Sequence, residues 1–250
     1  MLIGKKRINV AKKNIDLCLT SFSQEKKDQI LKDNISHACQ AFFDTGIAWF
    51  WNDRRIEKNV QYKINGLKEI SNAKEGVLII FKHSLHLELD ARILGMNQKI
   101  YGVGRKHNSK YMEHIIAQGR KRGLKDILYK DEMLRFIRWL KSGKKVLYAI
   151  DQDYGIKHSK KVNFFGIDTY TINSVERFQE LSNFEIFFLN SFYQKSCLNL
   201  NLIKMQKNSN GIVSTEDLKK VIQDSIQHNP HEYLWQHKRF KSTLGKDFYS

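Results

Sequence analysis

Two short apolar runs end abruptly in polar segments, and together they constrain the fold more than any other feature of the chain. Val77-Leu78-Ile79-Ile80-Phe81 leads into Lys82-His83-Ser84-Leu85-His86-Leu87-Glu88. Val146-Leu147-Tyr148-Ala149-Ile150 leads into Asp151-Gln152-Asp153-Tyr154-Gly155. Each pattern reads as the carboxyl end of a buried strand, where open α/β sheets gather their reactive groups. One segment supplies a base followed by a carboxylate; the other supplies two acids and an amide.

The rest of the chain fits that frame. After residue 59, strand-like runs at about 59–64, 76–81, 99–103, 144–150, 184–193 and 197–204 alternate with helical segments at about 85–96, 109–122, 131–142, 172–182 and 214–228. The expected fold class is α/β, a mixed and largely parallel sheet flanked by helices. Ahead of it, residues 1–58 read as a helical prologue, with one helix near 8–18 and a longer one whose start is signalled by Ser21 and Gln24, spaced as in a capping box. With no internal repeat, no low-complexity tract and Pro230 as its one proline, the chain reads as a single domain over residues 1–250.

Composition narrows the partners. Forty-three Lys plus Arg against 26 Asp plus Glu give a formal charge of +17, which favours anionic partners such as nucleic acid, acidic headgroups or an acidic carrier protein. Cys18, Cys39 and Cys197 give neither a disulfide framework nor a zinc spacing, as expected of a reducing compartment. The basic stretch Met1–Val10 lacks the apolar core of a secretory signal. No run approaches the roughly 18 apolar residues of a membrane span, so any membrane contact is expected to be peripheral.

The polar segments admit competing chemistries. On an ideal helix His83 and Glu88 would lie about 140° apart, so His83 must precede the helix if Glu88 in its first turn is to reach back to the imidazole. The free ring nitrogen would then face a substrate hydroxyl, as acyl transfer to an alcohol requires. His86 and Asp90, one helical turn apart, form a rival pair that a capped turn also explains. Asp151-Gln152-Asp153 can be a metal-holding pair of a sugar-nucleotide transferase, a backbone-capping turn, or a charge-tuning cluster beside His83.

Five ordered blocks complete the picture. They are His83 to Leu89 with Ala91-Arg92, Gly102-Val103-Gly104-Arg105, Tyr148 to Gly155, Val162-Asn163-Phe164-Phe165-Gly166, and Tyr233-Leu234-Trp235-Gln236-His237-Lys238-Arg239-Phe240-Lys241. In this order they resemble the bacterial lipid A biosynthesis late acyltransferases, the lauroyl/myristoyl/palmitoleoyl group. The resemblance implies a glycerolipid-acyltransferase-like fold and transfer of a fatty acyl chain from acyl carrier protein to a hydroxyl of a lipid A precursor. It places the reaction at the cytoplasmic face of the inner membrane, with no metal or organic cofactor. It makes His83 the general base and Glu88 its orienting carboxylate. Arg105 would contact a phosphate or polarise the thioester carbonyl, and Asp151, Gln152 and Asp153 would shape the site.

Two departures from that family stand out. Its members usually begin with a membrane-spanning or strongly apolar helix, and this sequence starts at about the point where that helix would end. After Arg105, the basic stretch Lys106-His107-Asn108-Ser109-Lys110 replaces one containing proline.

Most lysines are expected to be solvated surface. Arg120-Lys121-Arg122, and Lys238 and Arg239 with Lys241, are the clusters expected to touch substrate. Among Phe42, Phe43, Trp49, Phe50 and Trp51, most are expected in the core, with Phe43, Phe50 and Trp51 as candidates for an interfacial edge on an anionic membrane. Beside the acyltransferase stand two other classes, a metal-dependent glycosyltransferase using Asp151 and Asp153, and a basic nucleic-acid-binding module. The last lacks any recognised motif, and nucleic acid is not an expected partner.

Overall fold

The computed structural model describes residues 4–129, 132–157 and 159–250. Helices α1 (Lys5–Cys18), α2 (Gln24–Phe50) and α3 (Asp53–Asn59) come first. Then follow β1 (Tyr62–Asn65), α4 (Leu67–Ser71), β2 (Gly76–Phe81), α5 (Leu87–Asn97), β3 (Ile100–Gly104), α6 (Lys110–Arg120), β4 (Leu124–Tyr129), α7 (Met133–Lys141) and β5 (Lys145–Ala149). The second half holds β6 (Ser159–Phe164), β7 (Ile167–Ile172), α8 (Ser174–Leu181), β8 (Phe184–Gln194), β9 (Cys197–Lys204), α9 (Thr215–His228) and α10 (Lys241–Leu244).

Seven strands form one sheet in the order β1-β9-β8-β2-β5-β3-β4. The five from β8 to β4 run parallel, and β9 and β1 run against them. The mixed, largely parallel α/β architecture expected from the alternation is therefore present, with helices on both faces. Strand β2 is central, and its residues from Val77 to Ile80 are fully buried. Leu78 and Ile80 pack toward Phe136, Leu140, Ile222 and Ile226, while Val77 and Ile79 pack toward Leu89, Ile93 and Leu94 of α5. Burial of each such side chain contributes about 1.5–3 kcal/mol, so the run that carries the polar turn is anchored from both faces.

Several local expectations need correction. The cap of α2 is Ser23 rather than Ser21, because the Ser23 hydroxyl accepts from the backbone N–H of Lys26. Strand β4 and the antiparallel hairpin β6–β7 are additional to the expected strands. Residue 131, at the expected start of α7, and residues 1–3 of the basic amino terminus lie outside the described residues. Phe42, Phe43 and Phe50 are 63%, 70% and 65% exposed, so Phe42 joins the surface instead of the core. Trp49 and Trp51 are half-buried. Among the described residues, no helix is long and apolar enough to cross a membrane.

Candidate active site

Strands β2 and β5 are hydrogen-bonded neighbours in parallel register, with Phe81 opposite Ala149. Their carboxyl ends therefore deliver His83 and Asp151 side by side. Asp151 is fully buried and holds His83 twice: its Oδ1 lies 2.6 Å from Nδ1, and its Oδ2 accepts the His83 backbone N–H at 3.0 Å. Burial alone would raise the Asp151 carboxyl, but the adjacent imidazolium charge and these hydrogen bonds outweigh it and hold the group well below the usual carboxylate range. An ionised Asp151 accepts the hydrogen bond of Nδ1–H and keeps the proton on that nitrogen. Nε2 is then the basic nitrogen of a ring whose side chain remains 19% exposed.

Glu88 is not hydrogen-bonded to the His83 ring, as its spacing had suggested it could be. Its carboxylate is gripped by the Arg120 guanidinium, with Nε 3.0 Å from Oε1 and 3.1 Å from Oε2, and accepts the Trp49 indole N–H at 2.9 Å. Arg120 belongs to the basic cluster expected to touch substrate, and here it positions Glu88. The grip depends on Gly119, where an added Cβ would fall 2.3 Å from the Trp49 ring.

The rival histidine is structural. His86 caps α5 and is buried, with Nδ1 2.9 Å from Asp90 Oδ1 and Nε2 3.3 Å from Glu232 Oε2. Asp90 Oδ2 also accepts from the Ser84 and Ser191 hydroxyls. Burial opposes protonation of His86, yet the charge and hydrogen bond of Asp90, followed by Glu232, raise it to about 9. His86 is thus a buried imidazolium that ties α5 to the carboxyl-terminal segment. Lys82, also buried, donates to the Ser191 carbonyl and the Ser225 hydroxyl; burial pushes it down to about 8.

That carboxyl-terminal segment closes over the turn. Leu234 N–H donates to the His83 carbonyl at 2.9 Å, Leu85 N–H donates to the Glu232 carbonyl at 2.8 Å, and Ser84 pairs with Tyr233 as an isolated bridge. His237, in the same segment, is lowered to about 4 by burial and then by the charge of His83, so it is neutral near the base.

The remaining expected residues scatter. Asp153 turns away from Asp151 to accept from the Ser242 hydroxyl and backbone N–H, each at 2.7 Å, and from Gly155 N–H. Gln152 is half-buried between the two acids. With one carboxylate on His83 and the other on Ser242, the pair does not converge on a common point as a metal-holding pair would. Among the described residues no group of three or more His, Cys, Asp or Glu is disposed to hold a metal ion.

Arg239, expected at the substrate, is buried. Its guanidinium donates to the Thr169 and Thr171 hydroxyls and the Tyr170 carbonyl, so it staples the β6–β7 hairpin instead. Lys238 is exposed, with its Nζ 5.6 Å from the Tyr249 ring centre. Arg105 is exposed just beyond β3.

With this geometry in place, comparison with known proteins is specific. The family model described as bacterial lipid A biosynthesis acyltransferase matches residues 1–242. The lipid A biosynthesis palmitoleoyltransferase of Escherichia coli (strain K12) is 30% identical over 247 residues, covering 95% of this chain and 80% of that protein. A lipid A biosynthesis acyltransferase of Haemophilus influenzae is 29% identical over 258 residues, with 96% and 79% covered. The lauroyltransferase of Escherichia coli (strain K12) is 26% identical over 245 residues, with 95% and 80% covered.

Proposed function

The chain belongs to the bacterial lipid A biosynthesis acyltransferase family, and from that premise we propose that it moves a fatty acyl chain from an acyl carrier protein thioester to a hydroxyl of a lipid A precursor. The observation that carries the reading is the His83–Asp151 pair, a partly exposed imidazole whose Nδ1 is fixed at 2.6 Å by a buried carboxylate. His83 Nε2 takes the proton of the acceptor hydroxyl as its oxygen attacks the thioester carbonyl carbon. The carbon–sulfur bond then breaks, and the departing thiolate takes the proton back from the imidazolium. Asp151 stabilises that imidazolium, and Glu88, held by Arg120 and Trp49, shapes the wall of the site. The exposed cations Arg105 and Lys238 are available to anionic parts of the substrates, and Gln152 to a polar one.

Both proposed partners and an anionic bilayer suit a chain of +17. We place the protein peripherally on the cytoplasmic face of the inner membrane, with Phe42, Phe43 and Phe50 as its interfacial side chains. The test is a thin-layer assay with defined acyl carrier protein thioesters and lipid A precursors, run in EDTA. Wild-type chain should form the acylated product, and folded His83→Ala should lose transfer nearly completely. Normal turnover in His83→Ala would refute the reading, and so would activity abolished by EDTA and restored by manganese.

A further inference from the structure

A groove of about 430 Å³ lies on the β4-facing side of α6, apart from the His83 turn. Lys106 and His107 from the loop after β3, Lys110 and His114 from α6, and the Tyr129 ring at the end of β4 line it. One carboxylate, Glu113, also reaches the groove, and its hydrogen bonds are already made. It accepts from the Tyr129 hydroxyl at 2.7 Å and from the His107 backbone N–H at 2.5 Å. The backbone bond first, and the Tyr129 bond next, lower the Glu113 carboxyl, while burial first and then Glu113 push Tyr129 up to about 12. The acid thus fixes the loop to the helix as an ionised carboxylate, its single charge outnumbered by Lys106 and Lys110. What the groove presents to a ligand is two ammonium groups and two imidazoles around an aromatic wall, with Lys106 Nζ 4.9 Å from the Tyr129 ring centre.

We propose that this groove binds a phosphate group borne on one of the two substrates, a refinement that rests on the acyl-transfer reading above. Lysine ammonium groups serve phosphate as point charges, and a concavity of this size holds one phosphorylated head group rather than a long polyanion. The placement is suited to a substrate that spans two sites. Helix α6 carries Lys110, His114 and Ala117 in the groove and Arg120 on Glu88, so at 1.5 Å per residue the groove begins roughly 4.5 Å along the helix from the Glu88 clamp, and its cation Lys110 lies roughly 15 Å from it. A phosphate anchored there would hold an extended amphiphile with its reacting end near His83. The acceptor's phosphorylated sugar, a monoester, and the donor's phosphopantetheine arm, a diester where it joins the carrier, both present anionic phosphate oxygens.

The experiment is protein-detected NMR titration of the whole chain with inorganic phosphate, glucosamine phosphate and phosphopantetheine, paired with steady-state kinetics. Saturable shifts should centre on the amides from Lys106 to Ala117. The double variant Lys106→Glu/Lys110→Glu should bind at least tenfold more weakly, and KM for one substrate should rise by a similar factor. The arm whose KM moves identifies the source of the phosphate. Lys63→Glu/Lys74→Glu, with the same charge change on exposed positions elsewhere, should leave binding intact.

Shifts that never saturate, equal weakening by both double variants, or unchanged KM for both substrates would overturn the groove while leaving acyl transfer standing. Saturable, Lys106- and Lys110-dependent phosphate binding in a chain that transfers no acyl group would keep the groove and sink the transferase reading.

Discussion

Asp151→Asn tests the central geometry most sharply, because it changes one atom of the side chain and keeps its shape. In the wild type the carboxylate accepts Nδ1–H at 2.6 Å and leaves Nε2 free to take a proton. Asparagine can turn its amide NH₂ toward Nδ1, which favours the tautomer with hydrogen on Nε2, the wrong nitrogen for a base. It also removes the charge that stabilises the imidazolium. For charge centres about 4 Å apart at an effective dielectric of about 20, that interaction is about 4 kcal/mol, or roughly a thousandfold in rate.

The expected outcome is a fall in kcat of about 10³ or more with KM little changed, measured as acyl transfer from a defined thioester. Glu88→Gln leaves both bonds between Asp151 and His83 in place. It should therefore cost less, about ten- to a hundredfold, through loss of the charged Arg120 grip. A folded Asp151→Asn enzyme within tenfold of wild-type kcat would refute the pairing. So would a Glu88→Gln defect larger than the Asp151→Asn one.

Other expectations follow from the same contacts. Glu88→Ala and Arg120→Ala should each destabilise the fold by about 1–3 kcal/mol, and the double variant by less than their sum, because either change alone strands a half-buried charge; additive losses in denaturant unfolding would contradict the grip. Asp153→Asn should lower stability by about 1–2 kcal/mol by weakening the Ser242 contacts, with activity insensitive to EDTA before and after; metal dependence in either protein would contradict this. Since the folded-state value of His86 is raised, its contribution is complete below the unfolded value near 6.5 and is lost as pH climbs through about 9. The difference in unfolding free energy between wild type and His86→Gln should accordingly shrink by about 3 kcal/mol across that window, a comparison from which the opposite pH dependence of Lys82 cancels. Replacing Phe42, Phe43 and Phe50 with Ser should weaken co-sedimentation with anionic vesicles at low salt while leaving the melting temperature nearly unchanged, as their exposure requires.

The sequence pattern made the sheet legible because buried parallel strands advertise themselves as unbroken apolar runs, and it made the site's location legible because two such runs end in polar residues. The identity of the partner carboxylate was not legible. Glu88 is local to His83, whereas Asp151 reaches it only through the pairing of β2 with β5, and single-sequence spacing carries no register between distant strands. Arg239 misled for a similar reason. Its acceptors Thr169 and Thr171 sit on a hairpin whose strand Ser159–Phe164 is rich in Lys and weak in apolar alternation, so nothing nearby signalled a buried guanidinium. Phe42 looked like core because aromatic residues cluster around it, yet it is exposed although Trp49, two turns on along nearly the same face of α2, is half-buried and meets Glu88. Arg120 was picked out for its charge, and its true contact became visible only once α5 and α6 were both packed on α2.

The helical prologue belongs to this logic, since it bears on His83 without touching it. Asn14 of α1 and Asn34 of α2 are both buried, and each spends its side-chain amide on two carbonyls of the closing segment. Asn14 donates to Trp235 and His237 at 2.7 and 2.8 Å, and Asn34 donates to His231 and Tyr233, each at 2.8 Å. Gln236 Nε2 returns a bond to Asn34 Oδ1, and Tyr249 OH returns one to Asn14 Oδ1. Those carbonyls flank Leu234, whose N–H holds the His83 carbonyl. A buried amide left without its partner costs about 1–3 kcal/mol, so each asparagine fixes the path of the segment rather than merely tolerating it. The imidazole is therefore oriented from two sides, by Asp151 through its side chain and by the prologue through the backbone, and preorganisation of the base requires residues from both ends of the chain.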